Sequence, residues 1–472
     1  MIKPYNFTKS LLYLLPAALF IVATGCKKLI DPGIPTNKIT SAKVYSNDTT
    51  AQAAANGIYS EAMKSFGPLN GGMTVLGAVY SDELDQPVID SRYAAFLTNT
   101  LQANDPMIQL IWTNLYKYIY QCNDVIGGLK DSPAIKPYLR DQFTGEALFI
   151  RSLSYFYLVN LFGDAPLVTG TDYTINAIIG RTPAEKVYEQ MITDLQEAQK
   201  RLSVQYFITD EYPFDRVRPN QLAATALLAR VYLFKKDWAA AEHAATQVIQ
   251  SSFYKLETDL QQTFLSTSKE AILQFMPGVG LNSNEGSTFL PQNGKSPFFV
   301  LRSPLLNAFE AGDKRKEWIK PNPTGGLTYY PYKFRKGPGS PYSEYNMVLR
   351  LAEQYLIRAE ARIMQYNLAG ATDDLNTVRA RAGLPAKPVF GLQTEAIITL
   401  EHERQIELFA EWGHRWFDLR RWQALNPGSS KLTRADEVLS GFKSGWSSDA
   451  ILWPIPAREL LLNDSLTQNN GY

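Results

Sequence analysis

Residues 220–250 read NQLAATALLARVYLFKKDWAAAEHAATQVIQ, and the fold is decided here. Behind Pro219, which suits a first helical turn, Ala223, Ala226, Leu227, Arg230 and Leu233 recur at helical spacing. Asp237 can cap a second helix, in which Ala241, Ala244, Ala245 and Val248 fall at i, i+3, i+4 and i+7. Alanine at those positions lets two helices approach closely and stack on a further pair. The stretch therefore predicts an antiparallel helix pair that cannot bury its seam alone.

That length and texture match a tetratricopeptide-like unit, assigned here to residues 219–251. A second pair is predicted over 348–382, with Leu349, Ala352, Leu356, Ala359 and Ile363 on one face and a turn at Asn367 to Gly370. Further helices read outward from these. Thr49 to Ser65 is alanine-rich, and Asp105-Pro106 opens a helix with Ile108, Ile111, Leu115, Tyr118 and Ile119 at core spacing. Asp141 to Phe162 is apolar on most sides, which predicts burial, and Gly163 and Pro166 end it. Two segments break the pattern. Residues 275–345 hold 18 glycines and prolines in 71 residues, with many aromatics, and 67–104 is a shorter irregular stretch. The expected fold is mostly α: a tetratricopeptide-like helical-repeat scaffold with loop-rich insertions forming a ligand-binding face.

The N-terminus suggests export. Lys3 and Lys9 precede a 13-residue apolar run from Leu11 to Ala23, too short to span about 30 Å of hydrocarbon but suited to a signal peptide. It ends in Ala23-Thr24-Gly25-Cys26, the form of a lipoprotein cleavage site, so Cys26 is expected to be lipidated. This gives a signal over 1–25, a lipid-anchored tether over 26–47 and a single domain over 48–472. With Cys26 acylated, Cys122 is left without a disulfide partner, and stability falls to core burial. The 47 basic residues balance 46 acidic ones without like-sign runs, which argues against nucleic acid as a partner.

Catalysis finds no support. His402-Glu403 opens like a zinc-protease motif, but the fourth residue after His402 is Ile406. No Cys/His cluster has metal-ligand spacing, Gly278-Val279-Gly280 completes no dinucleotide fingerprint, and no G-x-S-x-G elbow occurs. Asp82, Glu83 and Asp85 form the densest acidic cluster, read as a cap or solvated turn. No enzyme activity and no metal are expected, and no cofactor beyond the lipid on Cys26; the acidic loops leave a structural Ca²⁺ open.

Four blocks stand in order: EALFIRSLSYFYLVNLFGDAPLV (146–168), the pair over 216–250, LRLAEQYLIRAEARIMQYNLAGATDDLNTVRARAGL (349–384) and ERQIELFAEWGHRWFDLRRW (403–422). With LWPIPAREL and the closing QNNGY, behind a lipoprotein signal, they make the mature chain resemble the SusD/RagB family of outer-membrane nutrient-binding lipoproteins. The resemblance implies lipid anchoring at the cell outer membrane, facing outward, and partnership with a SusC-like TonB-dependent transporter. It further implies a ligand, an oligosaccharide in most members and a peptide in some. The alternative function is a tetratricopeptide-type scaffold that organises envelope proteins.

Within the blocks, Glu403, Glu407, Glu411 and Arg415 form an i, i+4 ladder, read as a fold device and not a ligand site, weak if exposed and stronger if partly buried. Trp412, Trp416 and Trp422 are expected in the core, Trp112 and Tyr116 in the scaffold, and Tyr329, Tyr330 and Tyr332 in a structural strand. For the ligand, flat rings fit sugar C–H faces and polar groups fit their edges. Tyr93, Phe96, Phe289, Phe298 and Phe299 are the rings expected to supply stacking surface.

Overall fold

A computed structural model describes residues 41–472 apart from 131, 209–215, 279–280, 293, 338, 342 and 427–431. The signal peptide, Cys26 and the tether up to residue 40 lie outside the described residues.

The helices that matter are α1 (Asp48–Met63), α2 (Gly72–Tyr80), α3 (Ser91–Thr98), α4 (Pro106–Leu129), α5 (Pro137–Phe162), α6 (Ala184–Arg201), α7 (Gln221–Lys235) and α8 (Trp238–Ile249). After a long segment come α9 (Leu351–Met364), α10 (Leu368–Arg381), α11 (Gln393–Leu408) and α12 (His414–Arg421). Local chemistry sets their ends. Asp105 accepts the Met107 N–H at 2.8 Å, Asp237 that of Ala240 at 3.2 Å and Asn367 that of Gly370 at 3.1 Å. Helix α7 is capped by Asn220, so Pro219 lies one position before the cap and not in the first turn. Gly163, with φ 72°, closes α5, whose side chains are buried without a break from Gln142 to Phe162.

Helices α4 to α11 form one continuous stack, each packing on the next. Helix α8 packs directly on α9 although residues 250–350 lie between them. Ala229, Leu233, Ala241, Ala244 and Ala245 of the first pair interdigitate there with Ile357 and Ala361 of the second. The alanines keep the axes close, and no larger side chain would fit the seam without displacement.

Strand β2 (Ala271–Phe275) pairs antiparallel with β6 (Asn346–Arg350), Phe275 opposite Asn346. The long segment thus leaves the scaffold and returns to it at one point, which is why the stack is uninterrupted. Between them lie the shorter β3 (Val300–Leu301), β4 (Ile319–Pro321) and β5 (Tyr329–Pro331), and β4 pairs with β5. A two-residue strand β1 (Leu84–Asp85) pairs antiparallel with β3 and joins the two irregular regions.

One expectation needs correction. The region 67–104 is not a loop throughout, because it contains α2 and α3. Helix α2, GMTVLGAVY, has weak helical propensity but is wholly buried, and a Cβ at Gly77 would lie 2.5 Å from the Gly413 Cα. Tertiary approach, not local preference, makes this helix.

The Glu403 ladder is a structural device, and a buried one. Glu403 and Glu407 are fully buried and Glu411 and Arg415 nearly so. Their partners come from elsewhere. Arg315 reaches Glu403 at 2.9 Å, Arg350 joins Glu270 at 2.9 Å, Glu407 at 2.5 Å and Glu411 at 2.8 Å, and Arg381 reaches Glu270 at 2.7 Å. Burial alone would raise the Glu407 pKa, but Arg381, Arg350 and Arg315 hold it well below the usual carboxylate range. The network pins the long segment to α10 and α11. Trp412 and Trp416 are in the core as expected, whereas Trp422 is half-buried against the α9–α11 cluster. Trp112 packs edge-on against Phe162 and Tyr116 donates to the Pro166 carbonyl at 3.0 Å, both scaffold roles.

Candidate functional site

The β1–β3 pairing builds a groove from residues that are far apart in sequence. Asp85 lies opposite Val300, and the chain continues from β1 into Gln86 and Pro87 and from β3 into Arg302. Thr328, just before β5, and Phe442 close the other sides of a cavity of about 400 Å³.

Its polar groups are held in fixed orientations. The Arg302 backbone N–H donates to the Glu83 carbonyl at 2.8 Å, and its Nε to the Leu84 carbonyl at 3.0 Å. Arg302 Nη1 lies 3.2 Å from Asp85 Oδ2, while Asp85 Oδ1 accepts the Gln86 N–H at 2.8 Å. The Arg302 guanidinium carbon sits 5.5 Å from the centre of the Phe442 ring, which is 38 % exposed. Gln86 itself is buried, and its Oε1 accepts the Asp90 N–H at 3.1 Å. Val88, Ile89 and Leu327 are exposed apolar side chains next in sequence to lining residues. The arrangement offers a ring, a carboxylate and a guanidinium on one concave surface.

The rings singled out in sequence are placed differently. Phe96 is fully buried between Tyr80 and Trp453, with ring centres 6.2 and 5.2 Å away. Phe299 is buried against Tyr93 at 5.2 Å and Phe289 at 6.1 Å, and Tyr93 and Phe289 are themselves buried. These four edge-to-face rings pin α3 and the long segment to the core, so they cannot stack on a ligand. Phe298, beside Tyr93 at 5.9 Å, remains at the surface. Its ring also packs edge-on against Phe299, with centres 4.9 Å apart. Gln86, Arg302, Thr328 and Phe442 escaped the sequence reading: none carries a motif, and only Phe442 belongs to a residue class that had been followed.

The acidic cluster is a further correction. Asp82 and Glu83 are buried, not in a solvated turn, and only Asp85 of the three reaches the groove. Asp82 pairs with Arg415 through two contacts of 2.8 Å. Glu83 is pushed up to about 8 by burial and by the neighbouring Asp82, and it accepts the Ala410 N–H at 3.3 Å. Among the described residues, Glu310, His402 and Glu403 have ligand atoms within 4.8 Å of one another, a grouping that His402-Glu403 alone did not reveal. The Arg379 guanidinium already donates to both Glu310, at 2.6 Å, and Glu403, and occupies the place a cation would take.

A larger cavity, of about 610 Å³, lies between α1 and the end of β2, lined by Tyr59, Met63, Phe275 and Met276. Its Arg218 is tied to Glu146 at 2.5 Å.

The sequence model of the SusD family matches residues 314–472, and a second one, described as "Starch-binding associating with outer membrane", matches residues 45–233. The chain belongs to the SusD family. It is 24 % identical over 437 residues to SusD-like protein P38 of Formosa agariphila, covering 80 % of this chain and 82 % of that one. It is 26 % identical over 416 residues to the starch-binding protein SusD of Bacteroides thetaiotaomicron, covering 69 % and 72 %. A solved laminarin-binding SusD-like protein superposes with a TM-score of 0.75 at 26 % identity, over 91 % of this chain and all of the other. The stack α4–α11 is thus a SusD-type helical frame. Residues 234–313 lie between the two matched spans, and this interval carries β3, Phe298 and Arg302. Among the described residues no helix is long and apolar enough to cross a membrane.

Proposed function

We propose that the protein is an outer-membrane lipoprotein, anchored through Cys26, that binds an oligosaccharide in the β1–β3 groove and passes it to a SusC-like TonB-dependent transporter. The groove carries this reading: an exposed ring beside an Arg–carboxylate pair, held by backbone hydrogen bonds on a rigid helical frame. Relatives described as starch-binding and laminarin-binding support a glycan as the ligand class. The family model described as associating with the outer membrane, matched by residues 45–233, supports the location. A captured peptide would ordinarily add a strand to an open sheet edge, and β1 and β3 are two residues each, too short to template one. The sugar reading needs no strand edge.

The function is binding, not catalysis. Pull-down of the native lipoprotein from solubilised outer membranes is expected to recover a β-barrel transporter, and calorimetry to register an oligosaccharide. Recovery of soluble envelope proteins alone, without glycan binding, would favour the scaffold role. Anchoring is checked separately by fatty-acid labelling, which Cys26→Ala should abolish.

A further inference from the structure

Six large apolar side chains crowd one part of the surface outside the groove. Tyr120, Tyr173, Ile175, Ile178, Leu461 and Leu462 are between 51 % and 84 % exposed. They come from three segments that the fold brings together: α4, the stretch 166–180 after α5, and the short helix Ala457–Leu462. Asn123 of α4 holds that stretch by donating to the Val168 and Gly170 carbonyls at 3.0 and 3.2 Å. Asn463 ties the helix end to the Ile179 carbonyl at 3.0 Å. Tyr120, Ala177 and Leu462 share the walls of one cavity of about 460 Å³. Single exposed apolar residues are ordinary, but adjoining ones mark an interaction surface.

The polar groups among them point to the kind of partner. Asn176 donates inward to the Gly170 carbonyl at 3.0 Å, as Asn463 does to Ile179. Asp172 accepts the Thr174 N–H and hydroxyl at 2.9 and 2.6 Å. Little is left for the matched hydrogen bonds that a specific protein interface carries. What faces outward is a set of aliphatic tips with two tyrosine rings, which suits the boundary between hydrocarbon and lipid headgroups.

The start of the described chain adds a second observation. The Tyr45 hydroxyl donates to Asp124 of α4 at 2.7 Å, and its carbonyl accepts the Ser132 hydroxyl at 2.7 Å. Asp124 lies one helical turn beyond Tyr120, so the two share a face of α4. The chain that leads back to Cys26 therefore departs beside the apolar cluster. Lys27 to Thr40, 14 residues, separate Cys26 from Ser41, a reach of at most about 50 Å. A tether of that length holds a patch at about millimolar effective concentration, which seats side chains too few to bind a free protein.

Resting on the anchoring reading above, we propose that this cluster is a contact with the lipid surface. With Cys26 acylated, Ile175, Ile178, Leu461 and Leu462 enter the edge of the hydrocarbon, and Tyr120 and Tyr173 lie at headgroup level. The contact fixes the direction in which the frame, and the β1–β3 groove on it, stands above the membrane.

The test couples the mature chain, residues 26–472, through Cys26 to a maleimide lipid in phosphatidylcholine vesicles. Cys122 is buried and does not compete. Hydrogen exchange is then compared with that of the same chain free in solution. Amides of 173–180 and 460–466 are expected to exchange about threefold more slowly on vesicles, as for a patch seated about two-thirds of the time. Ile178→Ser and Leu462→Ser together should abolish the slowing, while unchanged exchange in α5 shows that the variant is folded. Equal exchange on vesicles and in solution overturns the proposal, and so does slowing that survives the double substitution. Slowing that needs a β-barrel partner also overturns it and gives the cluster to a protein. Because the coupling is chemical, these outcomes are independent of acylation in the cell, which fatty-acid labelling of Cys26 tests by itself.

Discussion

The protein contains two assemblies of arginine and carboxylate that differ in what is left over. Under the long segment, Arg350 spreads its donors over Glu270, Glu407, Glu411 and the Glu407 carbonyl, all within 2.5–2.9 Å. The neighbouring acids are in turn shared with Arg315, Arg381 and Lys333. In the groove, Arg302 and Asp85 make a single long contact at the edge of solvent. Side-chain chemistry is the same in both. Where the charged groups are sealed from water and shared among several partners the assembly fixes architecture, and where a single pair meets solvent it can bind.

The largest expected effect comes from breaking the first assembly. Arg350→Met leaves three buried carboxylates short of a partner, and removing one member of a buried network costs about 3–5 kcal/mol. The urea midpoint should fall accordingly. Full replacement by an apolar set is a different experiment, since a repacked core can restore what the ion pairs supplied. A midpoint unchanged in Arg350→Met would mean that the network does not anchor the segment.

Ring burial gives the next test. Phe96→Ala removes a ring enclosed by Tyr80 and Trp453 and should cost about 3–5 kcal/mol, whereas Phe298→Ala should stay within about 0.5 kcal/mol. Equal losses would contradict the assignment of one ring to the core and the other to the surface.

Between the two assemblies lies Glu83, whose carbonyl holds Arg302 and whose carboxyl meets Ala410. Its pKa is raised from 4.5 to about 8, by burial first and Asp82 second, against opposing effects of Ala410, Arg415 and Lys333. Glu285, buried beside Thr74, is raised to about 7, again chiefly by burial. The folded state therefore keeps protons that the unfolded chain releases above about pH 4.5. The stabilisation is complete below that pH and is lost as pH rises through 7 to 8. Lys333, lowered to about 8 by burial, shifts stability the opposite way at higher pH, so the clean readout is a difference between variants. From pH 5.5 to 8.5, wild type should lose on the order of 3 kcal/mol relative to Glu83→Gln. Parallel pH profiles for the two proteins would show that Glu83 is ionised throughout.

Much of the frame was legible because it is periodic. Alanines at Ala241, Ala244 and Ala245 have one sensible use, and capping residues such as Asp237 and Asn367 announce themselves. The Glu403–Glu407–Glu411 spacing, by contrast, is identical for a solvated face and a buried one. Its partners Arg315 and Arg350 lie more than 50 residues away, so burial could not be read locally. Aromatic richness marked the two irregular segments but not the side of the chain each ring occupies.

Arg302→Ala should change stability far less than Arg350→Met, and it is the substitution that best separates the two assemblies. Asp85 is 45 % exposed at its side chain, so water replaces the lost contact, and exposed ion pairs are worth about 0.2–1 kcal/mol. Loss of the Nε bond to the Leu84 carbonyl, at the groove rim, adds a comparable amount, since a typical hydrogen bond contributes about 0.5–1.5 kcal/mol. The urea midpoint should therefore move far less than in Arg350→Met. Sugar affinity should nevertheless fall, because the guanidinium lines the proposed groove and lies over the Phe442 ring. A variant that lost several kcal/mol of stability, yet bound sugar as before, would make Arg302 one more architectural arginine and erase the distinction between the two assemblies.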